Sequence, residues 1–138
     1  MIESFRNEYR FLSNFYPSDV VVSNVRYPTV EHAFQAAKAI DERSKNWILN
    51  ASTPKEAQNR GRIVACRGDW SNARLFIMRG LVFLKFTVHY DLRKHLIATG
   101  DEELIEGNWW GDTYWGVCNR VGENHLGIIL MEARKLLK

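Results

Sequence analysis

No run of 18 apolar residues occurs anywhere in the 138-residue chain, which excludes a membrane-spanning helix. Cysteine is scarce: Cys66 and Cys118 are the only two, and they lie far apart in sequence. A chain of this length with 46% hydrophobic residues buries a core without covalent staples. Both thiols are therefore expected to be free, as in a reducing compartment. His32, His89, His95 and His125 show no metal-ligand spacing with each other or with the cysteines, so no metal site is expected. A glycine-rich phosphate loop and a dinucleotide fingerprint are both missing, and no cofactor is expected. Neither a Pro/Gly/Ser linker nor an internal repeat divides the chain, which reads as one domain, 1–138. The opening Met1-Ile2-Glu3-Ser4-Phe5-Arg6 has no apolar h-region. A chain without a signal peptide, located in the cytoplasm, is the expectation.

What is present is ordinary in charge and rich in aromatics. The net charge is +3, which suits an anionic ligand such as a phosphate and transient contact with nucleic acid, but not an obligate nucleic-acid binder. Five tryptophans and five tyrosines are many for this length. They serve as core filling or as stacking platforms for a base.

The local pattern predicts mostly helix. The start is irregular, with Asn7, Ser13, Asn14 and Pro17 interrupting an aromatic stretch. Val20-Val21-Val22 and Val25-Arg26-Tyr27 flank Ser23-Asn24 as a short hairpin. Thr29 caps a helix to about Ile40, with an apolar stripe of Val30, Ala33, Phe34, Ala37 and Ile40. A second helix covers Arg43 to Asn50. Thr53-Pro54-Lys55-Glu56 is a capping box that starts a third, ending near Gly61. Asp69 caps a long helix from Trp70 to Val88 whose apolar residues go nearly all the way round, the mark of a central, buried helix. Further helices run from Asp91 to Ala98 and from Asn124 to Leu137. Between them, Leu104 to Gly122 reads as loop with one short strand. The fold class is α+β, predominantly α-helical: a single compact domain with a short β-hairpin and a small sheet.

Three groups of residues are candidates for chemistry. Glu31, Gln35 and Lys38 fall at i, i+4 and i+7, one narrow stripe beside the apolar face. Such a stripe lines the edge of a pocket or faces solvent, and Glu31 lies in the first turn, where the helix dipole favours a carboxylate. Gly107-Asn108-Trp109-Trp110-Gly111-Asp112-Thr113-Tyr114-Trp115-Gly116 is an aromatic loop punctuated by glycine. Its rings can sandwich a flat ligand, or pack into a rigid loop with Asp112 making turn hydrogen bonds. Asn124 caps the last helix, where exposed amides also bind anions. Cys66 and His125 have no flanking signature of a cysteine nucleophile.

Together these segments resemble a known family. Phe11-Leu12-Ser13-Asn14-Phe15, Tyr27-Pro28-Thr29-Val30-Glu31-His32-Ala33-Phe34-Gln35-Ala36-Ala37-Lys38, Arg60-Gly61-Arg62, Asp69-Trp70, Met78-Arg79 with Lys85-Phe86, Asp112-Thr113-Tyr114-Trp115-Gly116 and the run from Gly122 to Arg134 are similar, in order, to the NADAR, or YbiA-like, family. The segment between Gly116 and Asn124 departs from the glycine- and lysine-rich loop of the family's bacterial type member and is shorter. The resemblance implies an N-glycosidase that cleaves ribose from an exocyclic amine. Its implied substrate is ADP-ribosylated guanine in nucleic acid or a ribosylamino-pyrimidine intermediate of riboflavin synthesis. It further implies Lys38 as a Schiff-base nucleophile, with Lys85 as competitor. Glu31 and Asp112 would be acid/base groups, or would activate water as paired carboxylates. Trp70 and Trp115 would stack on or shape the base site, and Asn14, Gly116 and Asn124 would meet ribose or phosphate. A non-catalytic module that binds ADP-ribose or a nucleotide is the alternative, and a small interaction protein with its tryptophans in the core is a third.

Overall fold

The computed structural model describes the whole chain, Met1–Lys138. Six α-helices, one 3-10 helix and two two-stranded ladders make up its regular structure, the predominantly helical α+β class expected. The chain divides into two units, Asn14–Val88 and Met1–Ser13 with His89–Lys138. No helix is long and apolar enough to cross a membrane, and both cysteines are free.

In the unit Asn14–Val88, strands β1 (Val20–Val22) and β2 (Val25–Tyr27) pair antiparallel in the register Val22↔Val25. Ser23 and Asn24 both take positive φ, 50° and 65°. That is the two-residue turn whose twist matches the strands. Helix α1 (Val30–Lys38) follows, capped as expected: the Thr29 hydroxyl accepts from the His32 amide. The His32 ring is locked on both sides. Its Nε2 donates to the Ala51 carbonyl at 3.0 Å, and Nδ1 meets the Thr29 hydroxyl at 2.8 Å.

Seven of the nine residues of α1 are buried. Helices α2 (Glu42–Leu49), α3 (Pro54–Gly61) and α4 (Trp70–Val88), with the hairpin, all pack against it. Asp41 and Thr53 cap α2 and α3, accepting from Ser44 and Glu56 amides. The box at Thr53 closes only halfway, because Glu56 accepts from Arg60 Nε instead of reaching back. The last carbonyls of α1 find donors from elsewhere in the unit. Lys45 Nζ donates to Ala36, Arg67 Nη1 to Ala37 and the Arg67 amide to Lys38. The helix stops at Lys38, two residues before Ile40, with its last three carbonyls satisfied.

Two expectations for α4 are corrected. Its buried residues are Met78, Leu81, Val82, Lys85 and Phe86, one stripe at three- and four-residue spacing. Phe76 is 81% exposed, and Leu75 and Val88 are also on the surface, so the helix is one-sided rather than central. Asp69 does not cap it through its side chain. That carboxylate takes both Nε and Nη2 of Arg67, and its backbone carbonyl accepts from Asn72 and Ala73.

In the second unit the N-terminal strand bridges Ile2 to Leu104 in parallel, and a 3-10 turn over Asn7–Leu12 replaces the irregular start. Helix α5 (Tyr90–Ala98) packs on α6 (His125–Leu137). Arg93 closes the C-terminus of α6 with two donations to the Leu137 carbonyl. Buried Arg134 ties α6 to the Thr99 hydroxyl and the Glu102 carbonyl. The single short strand expected is a parallel pair, β3 (Gly107–Asn108) with β4 (Val117–Cys118).

Asn124 precedes α6 but does not cap it with its side chain. It is left-handed, φ 54°, and its amide is committed to the loop: Oδ1 accepts from Glu106 N, and Nδ2 donates to Leu104 O, both at 3.0 Å. Gly127 lies in the next turn, where any Cβ would overlap the Leu104 backbone carbonyl and the Asn124 amide. Gly→Ala inside an open helix stabilises by about 1 kcal/mol. Gly127→Ala is expected to do the reverse, costing roughly 2 kcal/mol or more through overpacking. Urea unfolding checks the sign, and a midpoint at or above that of the natural chain would contradict the close approach.

Candidate active site

Helix α1 places two of its three stripe residues inside the protein. Glu31 is 6% exposed and Gln35 is 7% exposed, so the solvated-face alternative is excluded for both. Gln35 Nε2 donates to Glu31 Oε1 at 2.8 Å, fixing which way the amide points. Its Oε1 is buried without a hydrogen bond and lies against Gly61, where a side chain would overlap it. The Glu31 amide donates to the Asn14 carbonyl at 3.2 Å. Asn14 is itself buried; its Nδ2 contacts Met78 Sδ at 3.3 Å, and its Oδ1 has no partner. An unmet buried carbonyl costs about 1–3 kcal/mol, and here two lie in the unit that holds Glu31.

Lys38 is half-buried at the end of the stripe. Burial lowers its amine below the ordinary lysine range; Cys66 and Glu31 oppose that and Arg62 adds to it. Trp70 packs on Phe34 of α1, ring centroids 4.9 Å apart. Lys85 lies on α4 at 1% exposure, with its Nζ 5.7 Å from the Tyr16 ring centroid and 5.1 Å from that of Phe86. Burial pulls its amine down to about 7, because a charged ammonium loses its hydration there.

The aromatic loop of the second unit is organised by two side chains. Asp112 Oδ1 accepts from the Tyr114 and Trp115 amides at 3.1 and 2.9 Å, an Asx turn. Asn108 takes the Asp112 amide on Oδ1 and donates from Nδ2 to the Asp112 carbonyl and to Glu106. Trp115 stands edge-on to Tyr114 at 4.8 Å, and Tyr114 meets His125 at 4.5 Å. Trp109 and Trp110 are exposed, with the Arg6 guanidinium 5.0 Å from the Trp109 centroid. Gly116 is buried, and a side chain there would overlap the Glu106 carbonyl and carboxylate. No group of three or more His, Cys, Asp or Glu is placed to hold a metal ion.

A family model described as the NADAR domain matches residues 3–138. The chain belongs to the NADAR family. Relatives of similar length include an N-glycosidase of Nostoc punctiforme, 38% identical over 136 residues that cover 94% of this chain and 86% of that one. The N-glycosidase YbiA of Escherichia coli K12 is 36% identical over 137 residues, 97% of this chain and 85% of YbiA. The NMR structure of E. coli YbiA superposes with a TM-score of 0.86 at 34% identity, covering 99% of this chain and 86% of that chain. A riboflavin biosynthesis protein of Vibrio vulnificus is 38% identical over 131 residues, 93% of this chain but 35% of that protein.

Within the NADAR chain, the unit Asn14–Val88 carries Asn14, Glu31, Lys38, Trp70 and Lys85. Asp112, Trp115, Gly116 and Asn124 belong to the other unit. Spacing along α1 identifies Glu31 with Gln35 and Lys38, and the hydrogen bond between the first two bears out their shared face. Glu106 is not among the residues that motif or spacing singles out. It is half-buried, and burial pushes its carboxyl up to about 7, with Asp112 adding to the rise and the Asn108 hydrogen bond opposing it. A lone glutamate before a Gly-Asn pair gives no sequence signal of that burial.

Proposed function

We propose that this protein hydrolyses the bond between ribose and an exocyclic amine of a base. The broader class, an enzyme that hydrolyses N-glycosyl compounds, follows from NADAR membership and from relatives of similar length named N-glycosidase. The finer substrate is either ADP-ribose on guanine in nucleic acid or a ribosylamino-pyrimidine of riboflavin synthesis. The name of the Vibrio relative favours the second, and the net charge of +3 suits the anionic group of either.

The observation that carries the proposal is the face of α1, where a buried glutamate oriented by an amide shares a helix with a half-buried lysine of lowered basicity. A glycosylamine ring-opens to an imine. Lys38 Nζ adds to the imine carbon, and the base amine leaves as the lysine imine forms. Water then adds to that imine and frees the sugar. Glu31 moves the protons of ring-opening and exchange. Asn14 accepts a ribose hydroxyl on its unmet Oδ1. Trp70, which packs on Phe34 of α1, shapes the base site. In the other unit Asp112 and Gly116 shape the aromatic loop that carries Trp115. Asn124, with its amide committed to Leu104 and Glu106, holds that loop in place.

The test offers ADP-ribosylated guanine in single-stranded DNA and a ribosylaminopyrimidine phosphate, and measures sugar release with and without borohydride. Release from one of them, with a reduced adduct mapped to Lys38, is expected. An adduct on neither Lys38 nor Lys85 would sink the imine route. Binding of a ribosyl ligand by calorimetry with no product from either substrate would favour the non-catalytic module.

A further inference from the structure

We infer, on the strength of the N-glycosidase function above, that Gly61 is a positioning residue of the active site: the side chain it lacks leaves the space from which the Gln35 amide aims Glu31. Gly61, Gln35, Glu31 and Lys38 all lie in the unit Asn14–Val88. Gly61 is buried and ends α3, which packs against α1. It is not a glycine that turns the chain. Its φ is not positive, and Arg62 after it stays right-handed helical, with φ −77° and ψ −18°. Any residue adopts such a backbone, and glycine weakens a helix relative to alanine. What glycine supplies here is space. A Cβ on Gly61 would overlap Gln35 Oε1 and come within 2.8 Å of Gln35 Cδ and 3.1 Å of Gln35 Cβ, well inside van der Waals contact.

Gln35 depends on that space. Its Nε2 donates to Glu31 Oε1 at 2.8 Å, while its Oε1 is buried against Gly61 without a hydrogen bond. A buried carbonyl normally finds a donor, so this amide forgoes one hydrogen bond in the pose that makes the other. Turning it over would set its oxygen against that of the Glu31 carboxylate. The amide group is planar, so a methyl that displaces Oε1 and Cδ carries Nε2 away from Glu31 as well. Gln35 Cβ is fixed by the α1 backbone and cannot yield with them. The Glu31 backbone stays in place through its amide, which donates to the Asn14 carbonyl. Only the carboxylate loses its aim. Gly61 therefore acts through Gln35 on the proton transfers assigned to Glu31.

The experiment measures kcat, KM and Tm of the full chain with Gly61→Ala, with Gln35→Met and with both, on whichever ribosylamine the natural chain cleaves. Gly61→Ala is expected to lower kcat by about 10²-fold, the scale of loss for a misplacement of about 1 Å, with KM changed by less than about twofold. Its Tm should stay within about 5 °C, since the gain in helix propensity offsets the displaced side chain. Gln35→Met keeps the length of the side chain without the donor and is expected to lose as much kcat. In both variants the limb that Glu31 gives to the pH–rate profile should move to higher pH, because its carboxylate loses a donor. The double variant is expected to be no slower than Gln35→Met, as for a residue that acts through another. A 15N NMR spectrum gives a readout without substrate: the Gln35 side-chain NH2 signal, assigned by its loss in Gln35→Met, should leave its hydrogen-bonded position in Gly61→Ala. An active natural chain whose kcat survives Gln35→Met overturns the assignment alone, as does a Gly61→Ala chain that keeps both kcat and the Gln35 signal. A natural chain inactive on every ribosylamine overturns the N-glycosidase function, and the assignment with it, even where the Gln35 signal moves.

Discussion

Lys38→Ala is expected to lower turnover by about 10³-fold or more, the scale of loss when a covalent nucleophile is removed. The amine sits half-buried in the last turn of α1, and burial lowers its affinity for a proton below that of ordinary lysine. A larger fraction is therefore the neutral nucleophile near pH 7–8 than in a free side chain. The rate should rise with pH as the amine deprotonates, along a limb displaced to the acid side of 10.5. Lys38→Arg retains the charge that favours a helix C-terminus but cannot form an imine, so it should be as inactive as Lys38→Ala. Neither change should disturb the fold, because the contact that Lys38 makes with Arg67 runs through its backbone carbonyl. Single-turnover assays with a melting curve for each variant separate chemistry from stability. Near-normal turnover by Lys38→Ala would move the chemistry to carboxylates activating water.

The helices were legible where chemistry is local. Thr29, Thr53 and the Ser23-Asn24 turn act through neighbours three or fewer residues away, and a pattern scan finds such partners. It failed where the partner is distant or the alternatives are degenerate. Asp69 had two local partners to choose between, the amides of the following turn and Arg67 two residues before it, and Arg67 took its carboxylate. Asn124 likewise read as a cap, while its amide serves Leu104 and Glu106, about 20 residues back. The apolar circuit of α4 did not reveal which side packs, since Phe76 and Phe86 look alike in sequence and only one is buried. The α1 stripe shows the same limit. Its spacing gave the shared face, but only the packing of α2, α3 and α4 around it shows that Glu31 and Gln35 are interior.

Lys85→Met is expected to raise stability by roughly 2 kcal/mol or more at pH 7. The residue occupies an apolar slot of the stripe Met78, Leu81, Val82, Lys85 and Phe86 and is 1% exposed. The fall of its amine from 10.5 to about 7 corresponds to roughly 4–5 kcal/mol of disfavoured charge. Between pH 7 and 10.5 the unfolded chain holds this proton and the folded chain does not. Folding stability from this group therefore rises with pH across that window, by about 1.4 kcal/mol per pH step, and is flat below 7, where both states are protonated. Methionine has similar length and no charge, so it removes both the penalty and the slope. Thermal melts should show Tm up by roughly 6 °C at pH 7, with the gap to the natural chain narrowing toward pH 10. A Tm at or below that of the natural chain would mean that the amine returns more than its dehydration costs. Imine trapping provides the second readout. Because Lys38 is assigned the covalent step, Lys85→Met should still yield the Lys38 adduct, and a stabilised variant with no adduct would transfer the nucleophile's role to Lys85.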